Sequence, residues 1–279
     1  MKGHAMPPDS ADTALTAIRL NTRWDVTRYG QFEDARMRPI HDLLDRVRTR
    51  PTTVADLGCG PGKGTNLILR RWPGADVTGV DNSPDMLSAA RINTPGARYV
   101  SGSVDDWIPP EPVDVIVASG LLHLIDNHEE ILRRWCGYLS PGGTLAVQAP
   151  DAIDAPWYRE MIALVSTGRF AGLPQAAPVR DFLCRPALLP RPDYHRILSD
   201  SGFRTDIFTI DYLHALTGID AVFEWVSTTG LRPVLAGLPA EVHPEVREQY
   251  RNRLREVYPA TATGTTLFPF RRIFMIAEP

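Results

Sequence analysis

A turn with three closely spaced glycines is the part of this sequence best suited to chemistry. It spans Asp56–Gly62 (DLGCGPG) and follows a short run of β-branched residues. Because glycine has no Cβ atom, such a turn lets the backbone approach a ligand where the first strand of a doubly wound sheet meets its helix. A dinucleotide fingerprint would need glycine where Lys63 stands, and a phosphate-binding P-loop would need Ser or Thr where Gly64 stands. Neither nucleotide-phosphate pattern fits.

Two acidic residues flank this turn. Asp56 precedes the glycines, and Asp81 ends the next predicted strand. An acid about 20 residues beyond the glycines can accept hydrogen bonds from both hydroxyls of a ribose, and the helix N-terminus at 62–65 attracts a carboxylate. Asp56 can then bind an ammonium group. Ribose, carboxylate and ammonium without a pyrophosphate describe S-adenosylmethionine, although a tight turn capped by Asp and without a ligand remains the simpler alternative.

The elements that would position these residues alternate between strands and helices up to Pro150. This alternation predicts an α/β fold with a Rossmann-like, doubly wound and mostly parallel sheet. The predicted helices are 32–47, 66–72, 84–92 and 128–139, and the predicted strands are 52–57, 76–80, 98–101, 113–118 and 144–148.

The alternation is lost after Pro150. Residues 151–192 are rich in Pro and Ala and predict an irregular insertion with one helix around 157–165. Further on, the pattern predicts helices at 193–201, near 220–228 and at 244–257, a β-rich stretch at 203–212 and a final strand at 272–277. We therefore expect a flexible polar leader at 1–23 and a single domain at 24–279, with cap insertions at about 151–192 and 218–262.

Composition excludes several classes of function. The net charge of −3 gives no positive field for nucleic acid. Three widely spaced cysteines predict neither a disulfide framework nor a zinc site, which favours a reducing cytoplasm. The longest apolar run, 115–125, is far shorter than the ~18 residues of a membrane-spanning helix, and no His, Asp or Glu cluster has metal-ligand spacing. We expect a small-molecule partner, no membrane and no metal.

The sequence resembles the class I S-adenosylmethionine-dependent methyltransferases, and more closely the trans-aconitate 2-methyltransferase family. The matching segments cover nearly the whole chain after residue 23: Trp24–Tyr29, Phe32–Pro39, Val54–Gly62, Gly79–Leu87, Glu224–Val226, Thr229–Pro233 and Leu267–Phe270. The resemblance implies a methyltransferase that uses S-adenosylmethionine. It also implies the cofactor contacts, which are Asp56, Gly58, Gly60 and Gly62 at the methionine end, Asp81 at the ribose, Asn82 and Met86 at the adenine, and Ser119 near the methyl group.

Three departures from the family pattern bear on the site. Ser103 replaces the acid that would accept the adenine amino group, so Asp105 or Asp106 is expected to substitute for it, whereas Trp107 matches. The stretch 119–124 (SGLLHL) replaces the family's usual residues beside the transferring methyl group. The 151–192 insertion is longer than the family's.

The methyl acceptor is less clearly predicted. A carboxylate is ionised at neutral pH and needs no base, whereas a hydroxyl would need one, for which His123 is the candidate. The resemblance and the residue types also suggest substrate contacts. Tyr29 and Phe32 could form an N-terminal lid, with core packing as the alternative. Arg36, Arg38 and Arg232 could bind substrate carboxylates, with solvated surface positions as the alternative, and Trp225 is a further candidate contact. The favoured acceptor is a polycarboxylate. The alternatives are a natural-product hydroxyl, a cyclisation with a structural cofactor, and a non-catalytic cofactor sensor.

Overall fold

A seven-stranded sheet organises the protein in the computed structural model, which describes residues 32–279. The strands are β1 (Thr53–Leu57), β2 (Asp76–Asp81), β3 (Arg98–Ser101), β4 (Val113–Ser119), β5 (Leu139–Pro150), β6 (Arg204–Thr217) and β7 (Thr265–Glu278). The helices are α1 (Glu33–Arg46), α2 (Lys63–Arg71), α3 (Pro84–Asn93), α4 (His128–Gly137), α5 (Pro156–Ser166), α6 (Gly168–Ala171), α7 (Ala176–Cys184), α8 (Arg191–Asp200), α9 (Ala221–Ser227), α10 (Leu231–Gly237) and α11 (His243–Val257).

The strand order is β3-β2-β1-β4-β5-β7-β6. Parallel pairing joins β3, β2, β1, β4 and β5, and β7 runs antiparallel to β5. This arrangement confirms the predicted doubly wound, mostly parallel sheet, which the last two strands complete. The final strand is longer than predicted, at Thr265–Glu278 rather than 272–277, and β6 reaches Thr217.

The central strand β4 is buried on both faces, as expected for a parallel strand between helical layers. Val117 packs in a cluster with Leu43 of α1 and Ile68 of α2. Ile116, one residue earlier, belongs to a separate cluster that contains Trp135 of α4. Successive side chains therefore enter two cores, one on each face of the sheet.

The prediction that residues 151–192 form an irregular insertion is wrong, because most of this segment is helical. They contain the helices α5, α6 and α7 and the start of α8. Buried apolar positions such as Trp157, Met161 and Leu164 recur three and four residues apart in α5, which is the spacing of one helix face. The helix predicted around 157–165 is thus confirmed as α5, whereas α6 and α7 were not predicted. Pro178, the third residue of α7, resembles a break in a helical pattern, although proline is tolerated in the first turn of a helix.

The described residues fall into two compact units. We call residues 32–152, 187–212 and 269–279 the sheet unit, and residues 153–186 and 213–268 the helical unit. The helical unit has its own buried core, in which the Tyr250 hydroxyl donates to the Trp157 carbonyl at 2.8 Å. The Trp157 N–H in turn donates to the Tyr258 hydroxyl at 3.2 Å.

No helix among residues 32–279 is both long enough and apolar enough to cross a membrane.

Candidate cofactor and acceptor site

The turn between β1 and α2 depends on glycine. Gly58, Gly60 and Gly62 have φ angles of 70°, 53° and 81°, in the left-handed region that residues with a Cβ atom rarely adopt. The Gly58 N–H donates to the Val80 carbonyl at 2.8 Å and so holds the turn against β2. A Cβ atom on Gly60 would meet no atom of the described residues within 4 Å. Residues 32–279 therefore leave open space beside the middle of the turn.

Asp81 fixes this turn from the end of β2. One carboxylate oxygen accepts the Gly60 N–H at 2.9 Å, and the other accepts the Ser83 N–H at 2.8 Å. Burial raises the pKa of Asp81, and these backbone hydrogen bonds oppose the rise. A carboxylate has about four lone-pair positions, so Asp81 can accept from the turn and from two hydroxyl groups at once.

Asp56 lies beneath the turn and is buried. Its carboxylate accepts the Thr65 hydroxyl at 2.6 Å. Burial raises the pKa of Asp56 to about 6, and the nearby Asp81 adds to the rise, although the Thr65 hydrogen bond opposes it. Two carboxylates close together make a region of negative potential, which favours a cation.

These residues fit S-adenosylmethionine by their chemistry. Asp81 supplies acceptors for hydroxyl donors, Asp56 supplies a carboxylate for an ammonium group, and the N-terminus of α2 supplies N–H groups for a carboxylate. Lys63, which would have to contact phosphate in a nucleotide-phosphate site, forms an ion pair with Glu33 at 3.1 Å.

The predicted adenine contacts follow β2. Asn82 is exposed, whereas Met86 is buried in α3. Helix α3 begins at Pro84, and the Ser83 hydroxyl caps it by accepting the Met86 N–H at 3.4 Å. The structure thus places Asn82 and Met86 directly after Asp81 in the chain, with only Asn82 open to solvent.

Asp105 and Asp106, the two candidates to replace the acid missing at position 103, differ in their contacts. The Ser103 hydroxyl donates to the Asp105 carboxylate at 3.0 Å, and the Asp105 N–H donates back to Ser103 at 3.2 Å. Asp106 is exposed, and its N–H donates to the Ser103 carbonyl at 3.2 Å. Trp107 packs edge-on against Tyr138, with ring centroids 6.1 Å apart. Asp105 is therefore the acid that contacts the side chain at position 103.

The end of β4 lies beside the glycine turn, because Leu57 pairs with Val80 on one side and Ala118 on the other. Ser119 is the next residue, followed by Gly120 with a φ of 72° and then by a short helical turn at Leu122–Leu124. That turn contains His123, which is half-buried. The structure therefore places Ser119 and His123 after the strand next to the predicted cofactor turn.

Sequence reasoning missed two residues that complete this edge. The Gln148 amide nitrogen donates to the Ser119 hydroxyl oxygen at 2.6 Å, and the Gln148 amide oxygen accepts from Arg272 at 2.9 Å. Arg272 is only 8% exposed. The sequence signal was weak, because an arginine beside Arg271 in an apolar strand gives no indication of which of the two points inward.

Phe32, Arg36 and Arg38 lie at or near the start of α1, and the structure separates the two arginines. Arg36 is buried. Arg38, two positions further, is exposed, and its guanidinium lies 5.0 Å from the centroid of the Tyr212 ring. Residues two apart on a helix do not share a face, so the structure does not bring Arg36 and Arg38 together as one clamp. Tyr29 lies outside the described residues.

Trp225 and Arg232 belong to the helical unit. Trp225 is buried and stacks on His214, with ring centroids 5.0 Å apart, and it packs edge-on against Phe268 at 5.7 Å. Arg232 lies in α10, and its burial lowers its pKa. The aromatic contacts of Trp225 agree with the core-packing alternative.

Metal chemistry has no obvious location in the described part of the chain. Residues 32–279 contain no group of three or more His, Cys, Asp or Glu side chains that could hold a metal ion.

Comparison with known proteins identifies the class. Residues 54–143 match the family model described as a methyltransferase domain. The fold is similar to the YcgJ protein of Bacillus subtilis (TM-score 0.54, 12% identity, 86% of this chain and 97% of that one). It is also similar to a plantazolicin methyltransferase crystallised with SAH (TM-score 0.52, 16% identity, 96% and 98%). The protein is an S-adenosylmethionine-dependent methyltransferase with the class I fold, as predicted.

Curated relatives identify the family within that class. A trans-aconitate 2-methyltransferase of Mycolicibacterium gilvum is 42% identical over 258 residues, which cover 91% of this chain and 98% of the relative. One of Streptomyces avermitilis is 41% identical over 265 residues, which cover 91% and 96%. The chain belongs to the trans-aconitate 2-methyltransferase family, and this confirms the resemblance found in the sequence.

Proposed function

We propose that this enzyme methylates a carboxylate oxygen of a small polycarboxylate, with trans-aconitate as the first candidate. The observation that carries the proposal is the similarity to trans-aconitate 2-methyltransferases along more than nine-tenths of the chain. When bound, the cofactor supplies an activated methyl group on a sulfonium. The product would be a methyl ester.

The protein's own contribution would be binding and positioning. Asp81 and the glycine turn would hold the ribose, Asp56 the ammonium group, and Asp105 the adenine. An ionised carboxylate already carries its nucleophilic lone pair, so no residue has to remove a proton. His123 would then contribute to shape or binding, and the rate would depend on alignment and exclusion of water.

A hydroxyl acceptor is the second candidate, because half-buried His123 follows Gly120 beside the predicted cofactor turn. The two candidates differ in the effect of His123→Ala. For a carboxylate, KM should rise modestly and kcat should stay within about tenfold. For a hydroxyl, loss of a general base should lower kcat by ~10²–10⁴.

The experiment measures methylation of trans-aconitate by wild type and His123→Ala from pH 6 to 9, and identifies the product by mass spectrometry. A flat pH profile and a methyl ester support the carboxylate. A rise through an imidazole-like pKa together with a thousandfold loss of kcat in the variant contradicts it.

We also propose that residues 151–192 and 218–262 act as caps over the acceptor within one functional domain. The support is that Trp225 and Arg232, which lie in segments resembling the family, belong to the second cap. Hydrogen exchange with cofactor and acceptor should show new protection in both caps. Protection confined to residues 54–107 would contradict this proposal.

A cytoplasmic location is proposed on the chemistry of the three cysteines. Cys59 and Cys136 are buried and Cys184 is exposed, and all three are free thiols. Free thiols are typical of reducing compartments.

A further inference from the structure

The side chain of Arg272 is a buried cation in the last strand. Residues 272–277 of β7 are all buried, and Phe270, Phe274 and Ile276, which lie on the same face of the strand as Arg272, are apolar. The neighbouring Arg271 is exposed and binds the Asp211 carboxylate at 2.7 and 3.0 Å. Burying a guanidinium is costly, and an apolar side chain in its place is often neutral or stabilising. The contribution of Arg272 to fold stability therefore does not by itself explain a cation at this position.

Arg272 lies at the edge of the sheet where ligands bind in this fold. The residue opposite it in the antiparallel pair is Pro150, the last residue of β5. Gln148, two residues earlier, pairs with Ser119 at the end of β4. In open α/β sheets, ligands bind outside the carboxyl ends of the parallel strands. Arg272 thus reaches the same edge as the glycine turn, on the far side of β4.

Gln148 holds the guanidinium in a fixed orientation. Its amide nitrogen donates to Ser119 and its amide oxygen accepts from Arg272. If the Gln148 amide were reversed, its NH₂ group would face the guanidinium, and both of these groups are hydrogen-bond donors. Arg272 further lies 5.1 Å from the centroid of the Phe270 ring, an arrangement favourable for a cation–π contact. These contacts hold the Arg272 guanidinium in one orientation before any ligand binds.

The charges at this edge are separated. Asp56 and Asp81 form its acidic half at the ends of β1 and β2. Its basic half consists of Ser119 and Gln148, near the ends of β4 and β5, and Arg272, in the middle of β7 opposite the end of β5. The acidic half suits the ammonium of the cofactor. A guanidinium suits a carboxylate, to which it can present two parallel N–H groups.

We propose that Arg272, positioned by Gln148, binds a carboxylate group of the methyl acceptor other than the group that is methylated. This inference rests on the proposed function, because it assumes an acceptor with at least two carboxylates. Arg272 would not bind the reacting carboxylate, since methylation removes that group's charge, and the interaction would stabilise the ground state more than the transition state. Arg272 is therefore a specificity-determining residue for polycarboxylates.

The experiment compares wild type with Arg272→Gln, Arg272→Lys and the matched control Arg271→Gln. For each we would measure KM and kcat with trans-aconitate, the Kd of trans-aconitate in the presence of S-adenosylhomocysteine, and the Kd of S-adenosylhomocysteine alone. Arg272→Gln should raise the KM and Kd of the acceptor by about 10- to 100-fold, as expected for loss of charged hydrogen bonds. Its kcat should stay within a few-fold and its S-adenosylhomocysteine affinity within about twofold, the pattern of lost uniform binding.

The two other variants sharpen the test. Arg272→Lys keeps the positive charge but loses the two parallel N–H groups of the guanidinium, so it should weaken acceptor binding less than Arg272→Gln does. Arg271→Gln should match wild type. A folded Arg272→Gln that binds the acceptor normally would overturn the proposal. If that variant does not fold, Arg272→Lys decides: normal acceptor binding, or failure of both variants to fold, makes Arg272 structural and overturns the proposal.

The proposed function can fail separately. If wild type binds trans-aconitate in an Arg272-dependent way but does not methylate it, the proposed reaction is wrong and the carboxylate site stands. If wild type methylates trans-aconitate and Arg272→Gln leaves its KM unchanged, the reaction stands and this site is wrong. Wild type that neither binds nor methylates a polycarboxylate contradicts both.

Discussion

The acidic and basic halves of the sheet edge lie on neighbouring strands but are built differently. In the acidic half, Asp56 and Asp81 are held by bonds from Thr65, Gly60 and Ser83, at most 21 residues away in the chain. In the basic half, Gln148 joins Ser119, 29 residues away, to Arg272, 124 residues away. The acidic half depends on local turns and on the pairing of β1 with β2, whereas the basic half requires the sheet to be completed by β7.

This difference suggests a division of labour between the halves. The local half carries the chemistry expected for the cofactor, and the long-range half carries the chemistry expected for the acceptor. Mutations in the acidic half should therefore change cofactor affinity, and mutations in the basic half should change acceptor affinity. The following predictions test that separation.

The largest effect is expected for Asp81→Ala. This change removes the acceptor for two ribose hydroxyls and the bonds to Gly60 and Ser83. At ~1.5–3 kcal/mol for each charged hydrogen bond, cofactor affinity should fall by at least about 100-fold. Calorimetry with S-adenosylhomocysteine measures it. The matched control is Asp76→Ala, at the exposed start of the same strand, where the Asp76 side chain forms a surface ion pair with Arg98 at 3.6 Å. If Asp81→Ala binds S-adenosylhomocysteine as tightly as wild type does, Asp81 is not part of the cofactor site.

Cofactor affinity should depend on pH through Asp56. Burial, with a further contribution from Asp81, raises the pKa of Asp56 to about 6, so the free enzyme carries a proton there below that pH. An ammonium group favours the ionised carboxylate, and binding must then release the proton. Affinity should therefore be constant above about pH 7 and fall by up to about tenfold per pH unit below 6. Asp56→Asn should lose this dependence, and an identical pH profile in the variant would contradict the assignment.

Ser119→Ala tests whether Ser119 serves the cofactor or the acceptor. The sequence predicted a cofactor contact, whereas the structure joins Ser119 to Gln148. Loss of the hydroxyl removes one hydrogen bond and loosens the Gln148 amide, so acceptor KM should rise by roughly fivefold while cofactor affinity stays unchanged. Steady-state kinetics and calorimetry separate the two. If Ser119→Ala changes only the cofactor affinity, Ser119 contacts the cofactor and not the acceptor, as the sequence predicted.

The last prediction concerns the stability of the protein without cofactor. Because the pKa of Asp56 is higher in the folded protein than its ordinary value of 3.8, Asp56 favours folding most below about pH 4, and this contribution is lost as the pH rises through 6. Asp56→Asn should therefore stabilise the cofactor-free protein at pH 8 by at most about 3 kcal/mol, with the advantage gone near pH 4. Thermal unfolding at both pH values measures it. A constant difference between variant and wild type would show that Asp56 does not titrate as proposed.

Local patterns predicted most of the sheet unit. The glycine turn, the helix that begins at Pro84 and the alternation of strands and helices each depend on residues close together in the chain. Two helices of residues 151–192, α6 and α7, were missed because α6 has only four residues and Pro178 near the start of α7 resembles a break in a periodic pattern. The separation of Arg36 and Arg38, by contrast, already followed from the predicted helix 32–47, because residues two apart on a helix lie on different faces.

The sequence by itself determined the acidic half of the sheet edge, which consists of the turn from Asp56 to Gly62 and the acid at Asp81, and it predicted the family to which the chain belongs. Its signals are local, because positive φ angles require glycine and successive strands must end together. Only the tertiary structure decided the other half. The pairing of β5 with β7 brings Arg272 to Gln148, and a shift of one residue in that pairing would place Arg271 on this face instead, since strand side chains alternate between faces. No local pattern encodes that choice.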